Sequence, residues 1–174
     1  RPSNYDPSTN EPAILQKWLD GGYYKRREGV GDCTVTIPPP NVTGILHMGH
    51  ATDDSIQDAI VRMARMRGRS TRWILGTDHA GIATQTKVDK KLKSEGVSRL
   101  EIGREKFLDA CWDWTHEYGG TIVEQIKRMG CSVDFDGERF TMDDEYAEAV
   151  RKVFCEWYHD GLIYRGNGND NRGP

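Results

Sequence analysis

Cys33, Thr34, Val35, Thr36 and Ile37 run straight into Pro38, Pro39 and Pro40, and that junction constrains the fold more than any other stretch. Thr34 to Ile37 are all β-branched, which suits a pleated, half-buried strand over residues 33–37. A run of prolines offers no backbone donors, so the strand must stop there. Past Gly44 the pattern changes period. Met48, Ala51, Ile56, Ala59, Ile60, Met63 and Ala64 recur every three or four residues, which predicts a helix over residues 47–67 with Gly68 as its stop. A strand cut off by prolines and followed by a long helix is a βα unit.

The rest of the chain extends that alternation. Residues 70–75 read as a second strand ended by Gly76, and residues 80–93 as a helix that grows basic toward its end. Residues 104–129 are helical in period, with a bend expected at Gly119 and Gly120. Residues 132–135 form a short third strand. Thr141 with Asp144 resembles a capping box for a last helix over residues 143–160, striped with Tyr146, Val150, Val153, Phe154 and Trp157. Ahead of all this, residues 11–20 make a short helix with Pro12 in its first turn and Gly21 and Gly22 at its end. Leu162, Ile163 and Tyr164 begin like a fourth strand. Residues 166–174 hold nothing that can pack and are expected to be disordered. The order implies an α/β fold with a parallel, doubly wound sheet.

Composition excludes several classes. Hydrophobic residues are 36% of the chain, enough for a lean core, and no stretch approaches the ~20 apolar residues of a membrane span. The net charge of -3 argues against a general basic surface for nucleic acid. Cys33, Cys111, Cys131 and Cys155 lie far apart with no C-x-x-C pair, which fits small apolar residues in a reducing cytoplasm rather than a zinc knuckle or disulfide frame.

The chemistry concentrates where the first strand hands over to the helix. In a doubly wound sheet, ligands bind beyond the C-terminal ends of the strands. The helix N-terminus there presents free N–H groups and a positive dipole end, which suit a phosphate. His47 and His50, at spacing i, i+3, share a face of the first turn and can both donate to one phosphate chain. Gly49 between them lets a flat ring approach the backbone. Blander uses exist: two histidines on a polar helix surface, or a metal pair whose further ligands would have to be Asp78 and His79.

The run P-P-P-N-V-T-G-I-L-H-M-G-H-A at residues 38–51, with W-I-L-G-T-D-H-A-G-I-A-T-Q at residues 73–85, closely resembles the valyl-tRNA synthetases. These are class I aminoacyl-tRNA synthetases, whose H-I-G-H signature stands here as H-M-G-H. The resemblance continues through residues 103–107, 112–114, 119–122, 140–143 and 158–165. It implies that residues 31–165 are the first half of a Rossmann-like nucleotide-binding domain, behind a helical segment over residues 1–30. It also implies ATP-dependent activation of valine to valyl-adenylate, with Mg²⁺ accompanying ATP. Valine tRNA would be the partner of the full-length family, its contact with this chain weak or absent. The implied setting is cytoplasmic, without a membrane.

Residue by residue, the resemblance makes His47 and His50 the catalytic contacts to the ATP phosphates. Gly49 would lie against the adenine, and Thr43 and Gly44 would line the phosphate approach. Pro38, Pro39 and Asn41 would shape the amino-acid pocket, and Asp78 would hold the substrate ammonium, with His79 and Gln85 in support. A carboxylate just past a strand is placed for that pairing. It is also placed to cap the helix that follows, with Thr77 as an alternative cap.

The chain departs from the family in places. The family is several times longer and carries a K-M-S-K-S loop, an editing domain and anticodon-binding helices, none of which is found in these residues. The expectation is therefore half of a catalytic domain. Thr52 and Asp53 are more polar than the family's leucine-containing stretch, Leu75 stands where proline is common, and the tail places Asn169, Asp170, Arg172 and Gly173 at apolar positions. Such replacements point to an engineered fragment kept soluble after its covering domains were removed. The competing reading is a folded ATP-binding or structural fragment without catalysis. An unrelated oxidoreductase fits poorly, since the first βα turn lacks G-x-G-x-x-G.

Overall fold

The computed structural model describes residues 4–168. In chain order they form α1 (Pro7–Asp20), β1 (Asp32–Thr36), α2 (Met48–Met66), β2 (Ser70–Thr77), α3 (Ile82–Ser94), α4 (Arg99–Arg128), β3 (Asp134–Phe140) and α5 (Asp144–His159). The strands make one sheet in the order β1-β2-β3, and both pairings are parallel. Each strand is reached through helices, so this is one wing of a doubly wound, Rossmann-like sheet.

One face of the sheet makes the core. Thr71, Trp73, Leu75 and Thr77 alternate inward along β2 and are all buried. Trp73 and Leu75 share a cluster with Val61 of α2, Ile122 and Ile126 of α4, and Ile37, Val42, Cys131 and Val133. Leu75 is fully buried. Its departure from proline therefore serves packing, and the expectation that it is a solubilising surface change is corrected. Thr52 and Asp53 do lie on the exposed side of α2, yet Ile56, Ile60 and Met63 are exposed on the same helix.

A polar clasp pins the C-terminal half of α2 to the turn before β3. Asp58 accepts from the Ser132 amide at 3.1 Å and from Arg62 Nε at 2.8 Å, while Arg62 Nη2 donates to the Gly130 carbonyl at 2.8 Å. Arg65 reaches the carbonyls of Ser132 and Tyr24 at 2.8 and 3.1 Å. These bonds satisfy groups that burial would otherwise penalise.

Several boundaries differ from the sequence reading, each for a local reason. α1 starts at Pro7, because Asp6 caps it by accepting from the Ser8 amide at 3.0 Å, so Pro12 lies inside the helix. α3 starts two residues late, since Ala80 and Gly81 take positive φ of 53° and 41°. The break in the long helix falls at Gly103, with φ 79°, and not at Gly119 or Gly120. β3 starts at Asp134 and runs on to Phe140, past the expected end at residue 135; the pairing with β2 absorbs Asp136 and Gly137 in an irregularity between Ile74 and Gly76. Leu162, Ile163 and Tyr164 form no strand.

Compact structure divides between Thr141 and Met142. In the second unit α5 is capped by Asp143, which accepts from the Tyr146 amide at 2.6 Å, so the expected cap at Thr141 is corrected. The helix buries no residue, and its Tyr146, Val150, Phe154 and Trp157 stripe is exposed. Of the tail expected to be disordered, residues 166–168 lack helix and strand, and residues 169–174 lie outside the described residues. Among the described residues, no helix is long and apolar enough to cross a membrane.

Candidate functional site

The prolines do more than end β1. The Pro40 carbonyl accepts from the Asp78 amide at 2.9 Å, and the Val42 amide donates to the Asp78 carbonyl at 2.9 Å. This is an isolated parallel bridge between Asn41 and Asp78. The loops that leave the C-terminal ends of β1 and β2 are thus joined at one point. Pro40 and Val42 are buried there, while Pro38, Pro39 and Asn41 remain exposed and Thr43 and Gly44 half-exposed.

α4 holds this loop at two further points. Trp114 Nε1 donates to the Val42 carbonyl at 2.9 Å, and Gln125 Oε1 accepts from the Leu46 amide at 2.9 Å. Sequence reasoning missed both side chains. A signal existed for Gln125: it is a polar residue beside Ile126 on the side of α4 that faces the core, and a buried amide needs partners.

The two histidines are arranged differently from the expectation of paired first-turn donors. His47 is the N-cap of α2, with extended backbone at φ -124° and ψ 174°. Its Nδ1 accepts from the Gly49 amide at 3.1 Å, and His50 Nδ1 accepts from the His47 amide at 3.2 Å. The rings lie 4.0 Å apart between centroids. This is a capping box built from imidazoles. A neutral imidazole that accepts at Nδ1 carries its proton on Nε2. Both rings are therefore fixed in one tautomer, with Nε2–H as the donor left for a ligand. Burial, and then the neighbouring His47, hold the His50 imidazole below its ordinary value, which favours this neutral form.

Gly49 has a reason visible within the chain. A Cβ there would stand 2.9 Å from His47 Cε1 and 3.0 Å from its Nδ1. The His47 ring already occupies that space.

Asp78 stands one residue past β2 and is about one-third exposed at its side chain. Its Oδ1 accepts from the Ala80 amide at 3.1 Å and from the Thr141 hydroxyl at 3.1 Å. It does not cap α3, whose N-cap is Gly81 without a side-chain bond, and Thr77 does not replace it. The metal alternative for His47, His50, Asp78 and His79 lacks support, because no group of three or more such side chains gathers among the described residues. Gln85 lies exposed on α3 with only a helical amide bond, to Gly81.

Two surface cavities, about 230 and 440 Å³, lie beside Trp18 and Tyr24, and neither is lined by residues at the C-terminal ends of the strands. The guanidinium groups of Arg62 and Arg65 there bond within the chain through the clasp above, though Arg65 Nε has no partner among the described residues. The strand-end surface carries the better chemistry: oriented N–H donors on one loop and a carboxylate on the next.

Comparison with known proteins gives the family. The family of class I tRNA synthetases for I, L, M and V matches residues 13–169. A valine–tRNA ligase of Fusobacterium nucleatum is 50% identical over 165 residues, covering 94% of this chain and 19% of its own length. Those of Lactiplantibacillus plantarum and Streptococcus pyogenes serotype M3 are 50% and 51% identical, again over 19% of their lengths. The chain thus spans about one-fifth of these relatives. In structure it resembles the leucine enzyme in an Agrobacterium radiobacter K84 agnB2 LeuRS-tRNA-LeuAMS complex, with a TM-score of 0.75 at 23% identity. That likeness covers 94% of this chain and 20% of the other.

Proposed function

Because the chain belongs to the class I tRNA synthetases of the I, L, M and V group, we propose that it carries an adenylate-forming surface for valine. ATP binds at the start of α2, and valine binds with its ammonium on Asp78. Valine is preferred to the group's other amino acids because the relatives at 50–51% identity are valine–tRNA ligases. Transfer to valine tRNA belongs to the full-length proteins.

The reaction needs little acid or base. The valine carboxylate is ionised at neutral pH and attacks the α-phosphorus of ATP, forming a mixed anhydride as pyrophosphate leaves. The protein must place the two reactants in line and stabilise charge that grows on phosphate oxygens. His47 and His50 suit that task through Nε2–H, alongside first-turn amides that have no carbonyl partner in the helix. Mg²⁺ brought with ATP adds positive charge on the phosphates, and the nucleotide is its main source of ligands. Thr43 and Gly44 line the approach, the adenine lies against the backbone at Gly49, and Pro38, Pro39 and Asn41 flank the amino acid.

The single observation that carries this reading is the imidazole capping box at the start of α2, which engages both Nδ1 atoms and leaves the two Nε2–H groups as the donors for a ligand. Calorimetric titration of the chain with ATP and with valine tests it, using Asp78→Asn as the selective variant. A charge-assisted hydrogen bond is worth about 1.5–3 kcal/mol, so valine should weaken about tenfold to a hundredfold while ATP changes little. Equal loss of both ligands would make Asp78 a structural residue. Absence of ATP binding in the unaltered chain would leave a folded fragment without this function.

A further inference from the structure

We infer that Thr141, on the loop after β3, is a positioning residue that fixes both the Asp78 carboxylate and the tautomer of His79. The inference rests on reading Asp78 as the ammonium partner. Thr141 continues the β2–β3 ladder, its amide donating to the Thr77 carbonyl at 3.1 Å. This sets its hydroxyl beside the loop that follows β2. Three groups meet that hydroxyl: the His79 amide at 3.0 Å, His79 Nδ1 at 2.6 Å and Asp78 Oδ1 at 3.1 Å.

One hydroxyl has one proton and two lone pairs, and that inventory decides every role. The amide can only donate, so it takes a lone pair. An ionised carboxylate can only accept, so it takes the proton. The remaining lone pair must accept from His79, which places the imidazole proton on Nδ1. Asp78 Oδ1, 3.4 Å from the same nitrogen, favours the proton there as well. His79 is thereby held with Nε2 as its free acceptor, the opposite tautomer to His47 and His50. Its ring is also steadied edge-on by Phe140, with centroids 6.3 Å apart.

The consequence for Asp78 is directional. Both of its side-chain hydrogen bonds fall on Oδ1, from Thr141 and from the Ala80 amide. Oδ2 is the oxygen left to meet a substrate ammonium. Ala80 holds its amide in place at a φ of 53°, a left-handed conformation that a non-glycine residue adopts at a cost. Thr141 therefore selects which carboxylate oxygen faces the ligand, and does so without touching the ligand.

The test compares Thr141→Val, which keeps the shape and loses the hydroxyl, with Thr141→Ser, which keeps the hydroxyl. Ring ¹⁵N shifts of His79 should report an Nδ1–H tautomer in the unaltered chain and in Thr141→Ser. They should report a mixture richer in Nε2–H in Thr141→Val. Valine affinity should fall about fivefold to tenfold in Thr141→Val, less than the loss of a direct bond to the ammonium because Thr141 acts through Asp78, and return in Thr141→Ser while ATP affinity stays level. An Nε2–H tautomer in the unaltered chain, or an unmoved tautomer in Thr141→Val, overturns the inference. The tautomer is read without any ligand, so it stands or falls separately from valine binding. If Thr141→Val does not fold, an Nδ1–H tautomer in Thr141→Ser supports the inference and an Nε2–H tautomer refutes it.

Discussion

Gly49 and Asp54 show how much a single residue decides on α2. At Gly49, an added methyl must displace the His47 ring and so break its cap bond. Losing such a cap costs about 0.5–2 kcal/mol, while replacing glycine by alanine in a helix returns up to about 1 kcal/mol. Gly49→Ala should therefore shift stability by no more than about 2 kcal/mol in thermal denaturation yet weaken ATP clearly in titration. Unchanged ATP affinity would remove both the cap and the adenine from the role given to this glycine. Asp54 is 4% exposed on the inner side of α2, and burial, then the charges of Asp53 and Asp58, push its carboxyl up to about 6. A raised acid favours the folded state while it is neutral and opposes it once ionised. Stability is thus retained near pH 4 and lost as the pH climbs through about 6. Asp54→Asn should stabilise the chain at pH 7.5, by up to about 3 kcal/mol, and have little effect at pH 4 in denaturant titrations. A gain of equal size at both pH values would show that ionisation is not the cause.

At the scale of elements, α4 holds the loop on which the proposed site rests. α4 supplies Trp114 and Gln125, which hold the Val42 carbonyl and the Leu46 amide on the loop ahead of α2. Gln125→Leu keeps size and removes the acceptor. Amide exchange at Leu46 should accelerate, and ATP affinity should fall by about fivefold to tenfold, the worth of one net hydrogen bond in orientation. Helix content by circular dichroism should hold. If Leu46 exchange is unchanged, the loop is set by the Pro40–Asp78 bridge alone. These contacts also explain what could be read in advance. The β-branched run, the triple proline and the apolar period of α2 are local signals, so β1, α2 and the ligand end of the sheet were legible. The motif residues could be named because H-M-G-H-A and G-T-D-H-A-G are contiguous. Trp114, Gln125 and Thr141 were not, because they act across separations of 72, 79 and 62–63 residues. The run of β3 past Phe135 to Phe140 was missed for the complementary reason: it is set by tertiary pairing with β2, whose irregularity takes in Asp136 and Gly137.

At the C-terminal ends of β1 and β2, Pro38, Pro39, Asn41 and His47 are exposed, so the proposed site is an open surface. The chain spans about one-fifth of the length of its valine–tRNA ligase relatives. An open surface keeps its hydrogen bonds in competition with water, and electrostatic stabilisation is weaker there than in a dry cleft. Selectivity should be modest too. Valine and threonine are nearly isosteric, and an apolar pocket rejects an added hydroxyl only ~100-fold. The most direct measurement is valine-dependent exchange of labelled pyrophosphate into ATP, run on the unaltered chain and on the double variant His47→Ala/His50→Ala. Exchange that requires valine and disappears in the double variant is the predicted result, since the two Nε2–H donors are assigned to the reacting phosphates. Exchange that persists in the double variant, or none in the unaltered chain, would contradict it.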